Sequence, residues 1–145
     1  KGTDSGIRKG MAVISPHGLV GRVASVSRES AHVDLIIHRE IAVGAIVQEN
    51  RETQGIVEGL GISQNLRMVN IPYYSTIKEG YHIITSGLSE SYPKGINIGR
   101  VKEVELQPDG ILLSALVEPS VDFDKLEEVL VIVNYKLSND EPIPE

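Results

Sequence analysis

Side chains able to do chemistry are few in this sequence, and they are scattered. There are four histidines, His17, His32, His38 and His82, and no cysteine. Disulfides and cysteine-based metal sites are therefore excluded. No two histidines form a short-spaced pair. His32 and Asp34 are two residues apart, so they share one face of a strand and make a two-ligand metal site conceivable; solvated polar residues on a strand are the commoner case. The one candidate nucleophile is Ser86, within Thr85-Ser86-Gly87. A trypsin-like hydrolase would need a histidine and an acid beside it and glycines around it for an oxyanion hole. Leu88 follows Gly87, and neither His17 nor His32 has flanking residues of that kind. Hydrolysis at Ser86 is the alternative reading, and a turn that ends a strand is the preferred one. Gly55, Gly59 and Gly61 are glycine-rich, but no lysine follows to hold a phosphate. Glu127 and Glu128 lie in an acidic run, from Glu118 to the end, that reads as solvated surface. No cofactor is expected.

The elements that would carry these groups are strands. The chain has 145 residues, 41% of them hydrophobic and 4% aromatic. Its core must come from Val, Ile and Leu, whose β-branched members suit sheets. A net charge of −6 without clustered bases argues against nucleic acid. No apolar run reaches the ~18 residues of a membrane span. Short strands are expected at Met11 to Ile14, Leu19 to Val26, Ala31 to Ile37 (buried on both faces), Ile41 to Val47, Gln54 to Gly59 and Leu66 to Ile71. Six strands spaced about ten residues apart imply a small barrel or sandwich.

The pattern then restarts. Ile77-Lys78-Glu79-Gly80 followed by Tyr81 to Thr85 matches Ile7-Arg8-Lys9-Gly10 followed by Met11 to Ser15. Gly99-Arg100-Val101 matches Gly21-Arg22-Val23, and Ile111 to Val117 takes the place of Ala31 to Ile37. Three matches in one order indicate duplication. The expected fold is all-β, two small barrel-like units side by side, with a frayed start over 1–6, units at 7–71 and 72–135 and a disordered acidic tail at 136–145. Gly10, Gly18, Gly21, Gly55, Gly59, Gly87, Gly95 and Gly99 are read as turn and close-approach positions. Pro108-Asp109-Gly110 is a hairpin turn. Asp124 to Glu128 is a single helical turn capped by Asp122 or Asp124, and Val129 to Val133 is a buried last strand. Tyr73-Tyr74 is expected to cover the joint between the units, or else to be an exposed anchor for a partner.

The ordered pieces resemble the extracytoplasmic domain of the bacterial rod shape-determining MreC family. The pieces that carry the resemblance are Gly10-Met11-Ala12-Val13-Ile14, Gly18-Leu19-Val20-Gly21-Arg22-Val23, Thr53 to Gly59, Thr85-Ser86-Gly87-Leu88, Tyr92-Pro93-Lys94-Gly95-Ile96, Gly99-Arg100-Val101 and Leu126 to Ile132. The resemblance implies a trypsin-like double barrel without catalytic residues, acting as a non-enzymatic scaffold of cell elongation. It also implies, for the full-length protein, an N-terminal membrane-spanning helix and a coiled coil, with this part outside the cytoplasmic membrane. The implied partners are MreD, MreB, and the penicillin-binding transpeptidase and glycosyltransferase of wall elongation. Self-association as a homodimer is implied too.

Overall fold

A computed structural model describes residues 1–88 and 92–133. The strands are β1 (Ala12–Ser15), β2 (Gly18–Val26), β3 (Ala31–Leu35), β4 (Ala42–Val47), β5 (Gln54–Gly59), β6 (Leu66–Pro72), β7 (His82–Thr85), β8 (Asn97–Leu106), β9 (Leu112–Pro119) and β10 (Leu130–Val131). Two single-turn 3-10 helices complete the described structure, at Thr3–Ser5 and Phe123–Lys125. Strands β4-β5-β6-β9-β8-β7 close into a barrel, and β10-β1-β2-β3 form an open four-stranded sheet. The all-β class and the pairing of a barrel with a second β unit are as the sequence implied.

Duplication is visible in the backbone. β1-β2-β3 and β7-β8-β9 are the same antiparallel three-stranded unit. Gly10 N–H donates to the Val23 carbonyl at 2.8 Å, and Gly80 N–H to the Val101 carbonyl at 2.8 Å. The β1–β2 register shifts between Val13 and Ile14, and the β7–β8 register between Ile83 and Ile84. Further along, β2 shifts between Val23 and Ser25 and β8 between Val101 and Glu103. Gly21 lies opposite Leu35, and Gly99 opposite Pro119. A Cβ on Gly21 would run into the Asp34 carbonyl oxygen, and one on Gly99 into the Glu118 carbonyl oxygen. Both glycines therefore permit close backbone approach at a bulged crossing.

The expected boundary at residues 71 and 72 does not coincide with the division between sheets. Pro72 is the last residue of β6, and the barrel joins β4, β5 and β6 to the second copy. Among the described residues the first copy pairs with β10 alone, on its β1 side. The physical reason is edge satisfaction: a three-stranded meander has two open edges, and a closed barrel removes them. Here β4 pairs with β7 and β6 with β9, which closes the second copy.

The core follows this arrangement. One cluster fills the barrel with Val43, Ala45, Val47, Val57, Leu66, Met68, Ile71, Ile83, Ala115 and Val117, and reaches into the sheet through Ala12, Leu19 and Ile36. A second cluster lies on the sheet around Val13, Val20 and Val23, with Ile7 and Val121. Leu19 and Val20 are adjacent and both buried, so β2 is covered on both faces. β3 differs from its expectation: its residues are only partly buried and His32 is exposed, because it is the outermost strand of the open sheet. The last strand is two residues long, with Leu130 exposed, in place of a buried strand over Val129 to Val133. Asp122 caps the 3-10 turn, its carboxylate accepting from Asp124 N–H at 3.1 Å. The tail at 136–145 lies outside the described residues.

Candidate interaction surface

The reactive residues are not brought together. Ser86 ends β7 in a turn: its N–H donates to the Gly44 carbonyl at 3.0 Å, and its Oγ accepts from Leu88 N–H at 3.3 Å. His82 is four residues earlier on the same strand, roughly 13 Å away along an extended chain. Its ring is held by Glu49, with Nδ1 and the carboxylate 2.7 Å apart, and its backbone N–H donates to the same carboxylate at 2.8 Å. Burial alone would raise the Glu49 carboxyl. The hydrogen bonds from the His82 ring and backbone outweigh that and hold it below its ordinary value. His17 offers its carbonyl to the Asn97 amide at 3.3 Å. His32 pairs with Asp34 at 3.8 Å on β3. The described residues contain no group of three or more His, Cys, Asp or Glu able to hold a metal ion.

The glycines singled out by sequence lie in turns or at tight crossings. Gly10, Gly87 and Gly95 have left-handed backbones, with φ of +92°, +78° and +90°. Gly18 has φ +149° and faces the Asn97 carbonyl, which brings the start of β2 against the start of β8. Gly55 and Gly59 face the carbonyls of Val69 and His38. All of these are backbone devices.

The tyrosine pair is not in the joint. Tyr73 is 61% and Tyr74 76% exposed, with the rings edge to face at 5.5 Å between centroids and 85° between planes. The aromatic side chain at the junction is Tyr92, which sequence reasoning did not select. It is 1% exposed and belongs to the barrel cluster that includes Ala12, Leu19 and Ile36. Burial raises its phenol above the ordinary range; the nearby Arg22 charge lowers it and Asp34 raises it. Arg22 lies on β2 and Asp34 on β3. That hydroxyl has no hydrogen-bond partner among the described residues.

Half of the exposed large hydrophobic residues among those described lie toward one end of the barrel. Tyr73 N–H donates to the Ile111 carbonyl at 3.0 Å, which ties the end of β6 to the tip of the β8–β9 hairpin. Val104 lies opposite Ala115 and Leu106 opposite Leu113, so both continue the barrel's inner face past its rim. Val104, Leu106 and Ile111 are 37%, 57% and 62% exposed. Asp109 stiffens the tip: its carboxylate accepts from Ile111 N–H at 2.8 Å and Leu112 N–H at 3.2 Å. The result is a rim of two tyrosines and three aliphatic residues on a braced hairpin. Apolar side chains clustered in this way mark a docking surface, whereas scattered ones need no explanation. A second depression, of about 440 Å³, lies on the outer wall between Gly44, Gly55, Ile56, Ser86 and Leu88.

Comparison with known proteins gives these features a setting. The family model for the rod shape-determining protein MreC, barrel core, matches residues 1–133. The cell shape-determining protein MreC of Listeria monocytogenes is 33% identical over 135 residues, covering 91% of this chain and 46% of that protein. A solved MreC structure from Listeria monocytogenes superposes with a TM-score of 0.87 at 32% identity, covering 100% of this chain and 69% of that one. The Helicobacter pylori MreC solved in complex with the penicillin-binding protein PBP2 shares the fold, with a TM-score of 0.68 at 20% identity over 83% of this chain and 74% of that one. The chain spans less than half the length of the curated relatives it matches.

Proposed function

The chain belongs to the rod shape-determining MreC family, and from that premise we propose that it is a non-enzymatic scaffold of cell elongation that binds a penicillin-binding protein through the barrel rim. The observation that carries this reading is the rim itself. Among the described residues, five of the ten exposed large hydrophobic ones, Tyr73, Tyr74, Val104, Leu106 and Ile111, lie toward one end of the barrel. The Helicobacter pylori complex supports the class of partner. Rigid tyrosines and apolar side chains on a braced hairpin are suited to carry most of the binding energy of such a contact. The same proposal places the domain outside the cytoplasmic membrane, joined by the rest of the full-length protein to a membrane anchor. It includes MreD, MreB, the elongation glycosyltransferase and a second copy among the partners, as the resemblance implies.

The test is affinity for the periplasmic region of the class B penicillin-binding protein from the same cell. Tyr73→Ala with Tyr74→Ala should weaken binding at least tenfold, since central aromatic anchors contribute about 2 kcal/mol or more. The melting temperature should hardly move, because both rings are exposed. Unchanged affinity with an intact fold overturns the rim as the docking surface.

A further inference from the structure

The chain passes between the sheet and the barrel twice. It enters the barrel over residues 36–41, from β3 to β4, and returns over residues 120–129, from β9 to β10. One short loop touches both crossings, the tip of the β5–β6 hairpin at residues 60–65. On the first crossing, Gly61 N–H donates to the Ile37 carbonyl at 2.9 Å, and Arg39 Nε donates to the Leu60 carbonyl at 3.1 Å. A Cβ on Gly59 would run into the backbone of Ile37 and His38, and Gly61 has φ +78°. This contact is largely backbone packed on backbone. On the second crossing the contact is one side chain. Gln64 Nε2 donates to Asp124 Oδ2 at 2.8 Å, and Gln64 Oε1 accepts from Phe123 N–H at 3.1 Å. The partners dictate that orientation of the amide, since a backbone N–H only donates and a carboxylate only accepts.

Apolar packing holds the two units together, and Phe123 lies against both core clusters. Such packing is non-directional, so it leaves the angle between the units to groups that need a set geometry. We infer that the β5–β6 tip is a clamp that sets this angle, with a fixed jaw on residues 36–41 and a releasable one, Gln64, on the turn at Phe123–Lys125. Gln64 is half-buried and Asp124 exposed, so water can replace these bonds at small net cost. The start of the second crossing is held separately. Ser120 N–H donates to the Ile98 carbonyl at 3.0 Å, and Asn97 Nδ2 donates to Ser120 Oγ at 2.9 Å and to the His17 carbonyl at 3.3 Å. That end of the joint stays in place when Gln64 lets go and serves, with the first crossing, as the pivot. The chain from Val121 onward then follows the sheet as it turns. A partner that touches both units meets one angle while Gln64 holds and a range of angles when it does not. The clamp uses none of the rim side chains, so it stands apart from the docking surface proposed above.

The chain has no cysteine, so two spin labels can be placed without background. His32→Cys on β3 and Lys102→Cys on β8 put one label on each unit, both at exposed positions. Double electron–electron resonance on this pair should give one narrow distance distribution. Gln64→Ala should broaden it and move its centre, with an unchanged circular dichroism spectrum. Gln64→Glu should do the same, because it sets a second carboxylate against Asp124. Adding Asp124→Asn should restore the narrow distribution: the introduced amide donates to the introduced carboxylate, and the bond is remade with donor and acceptor exchanged. Asp124→Asn alone should change nothing, since its side-chain oxygen still accepts from Gln64. Should Gln64→Ala fail to fold, this exchange decides. A distribution already broad in the parent chain overturns the inference, and so does one that stays narrow in both Gln64 variants. A broadening by Gln64→Glu that Asp124→Asn does not reverse overturns Gln64 as the jaw.

Discussion

The open sheet and the closed barrel contain the same three-stranded unit in different company. Equivalent residues are offset by 70 at Val13 and Ile83, by 78 at Gly21 and Gly99, and by 84 at Val33 and Val117. The second copy is thus longer in two places, its β7–β8 connection and its β8–β9 hairpin. The first of these brings Tyr92 to the junction, where the first copy has only the turn Pro16-His17. The second carries Leu106 and Ile111 to the rim. The shared unit supplies architecture; the extra residues supply Tyr92 at the joint and Leu106 and Ile111 of the apolar surface. Among the described residues, the first copy has no strand paired to the outer side of β3.

The largest effect that would break this comparison is loss of the joint. Tyr92→Ala should destabilise the domain by about 3–5 kcal/mol, the usual range for emptying a buried aromatic site. Tyr92→Phe should be neutral or slightly stabilising, because the removed hydroxyl is buried without a partner among the described residues. Urea unfolding of both variants checks this. A mild Tyr92→Ala, or a severe Tyr92→Phe, would mean that the sheet is held to the barrel by something else.

The next effect compares the two glycine crossings. A methyl group on either Gly21 or Gly99 meets the carbonyl of the neighbouring strand. β9 is clamped between β8 and β6, whereas among the described residues no strand pairs with the outer side of β3. Gly99→Ala should therefore destabilise by about 2–4 kcal/mol and Gly21→Ala by distinctly less, on the scale known for overpacking. Equal losses in thermal or urea melts would show that β3 is held as firmly as β9.

The smallest effect concerns the position where the sheet has buried Ala12 and the barrel has His82. His82 ties β7 to the β4–β5 turn through Glu49. The Glu49 carboxyl is held below its ordinary value of 4.5. A depressed acid stabilises the fold above its unfolded pKa, and that stability is lost as pH falls through the folded value. Glu49→Gln should thus lower stability at pH 7 by under about 1 kcal/mol, as for other half-exposed pairs. The gap should close as the pH is brought down below 4.5. Urea midpoints at pH 7 and pH 3 measure it, and a gap that persists at pH 3 assigns the loss to packing.

Much of this was legible in the residues. Apolar runs bounded by glycine and polar turns placed nine of the ten strands to within a few residues, since a half-buried strand repeats every two. The duplication was legible because Gly21 and Gly99 are required by the same crossing. The strand partners of β4, β5 and β6 were not, because a strand's own pattern does not say which copy's edge it closes. Ala31 to Ile37 read as fully buried for a similar reason: an apolar run looks alike at the centre and at the edge of a sheet. His32 and Asp34, side by side in spacing two, were the available sign of an edge. Among the tyrosines, the adjacent pair at 73 and 74 drew the joint assignment. Tyr92, alone in the inserted loop before Pro93, carried only its place in the family pattern as a signal.

Amide hydrogen exchange at Val33 and Val117 is the most direct test of the central claim, that one unit is closed in the barrel and open in the sheet. In dilute, monomeric protein the Val117 amide, paired to β6, should exchange only with global unfolding. The outward Val33 amide should exchange orders of magnitude faster, as an unpaired edge group does. Comparable protection at the two positions would contradict the account, because it would mean that β3 has a strand beside it already.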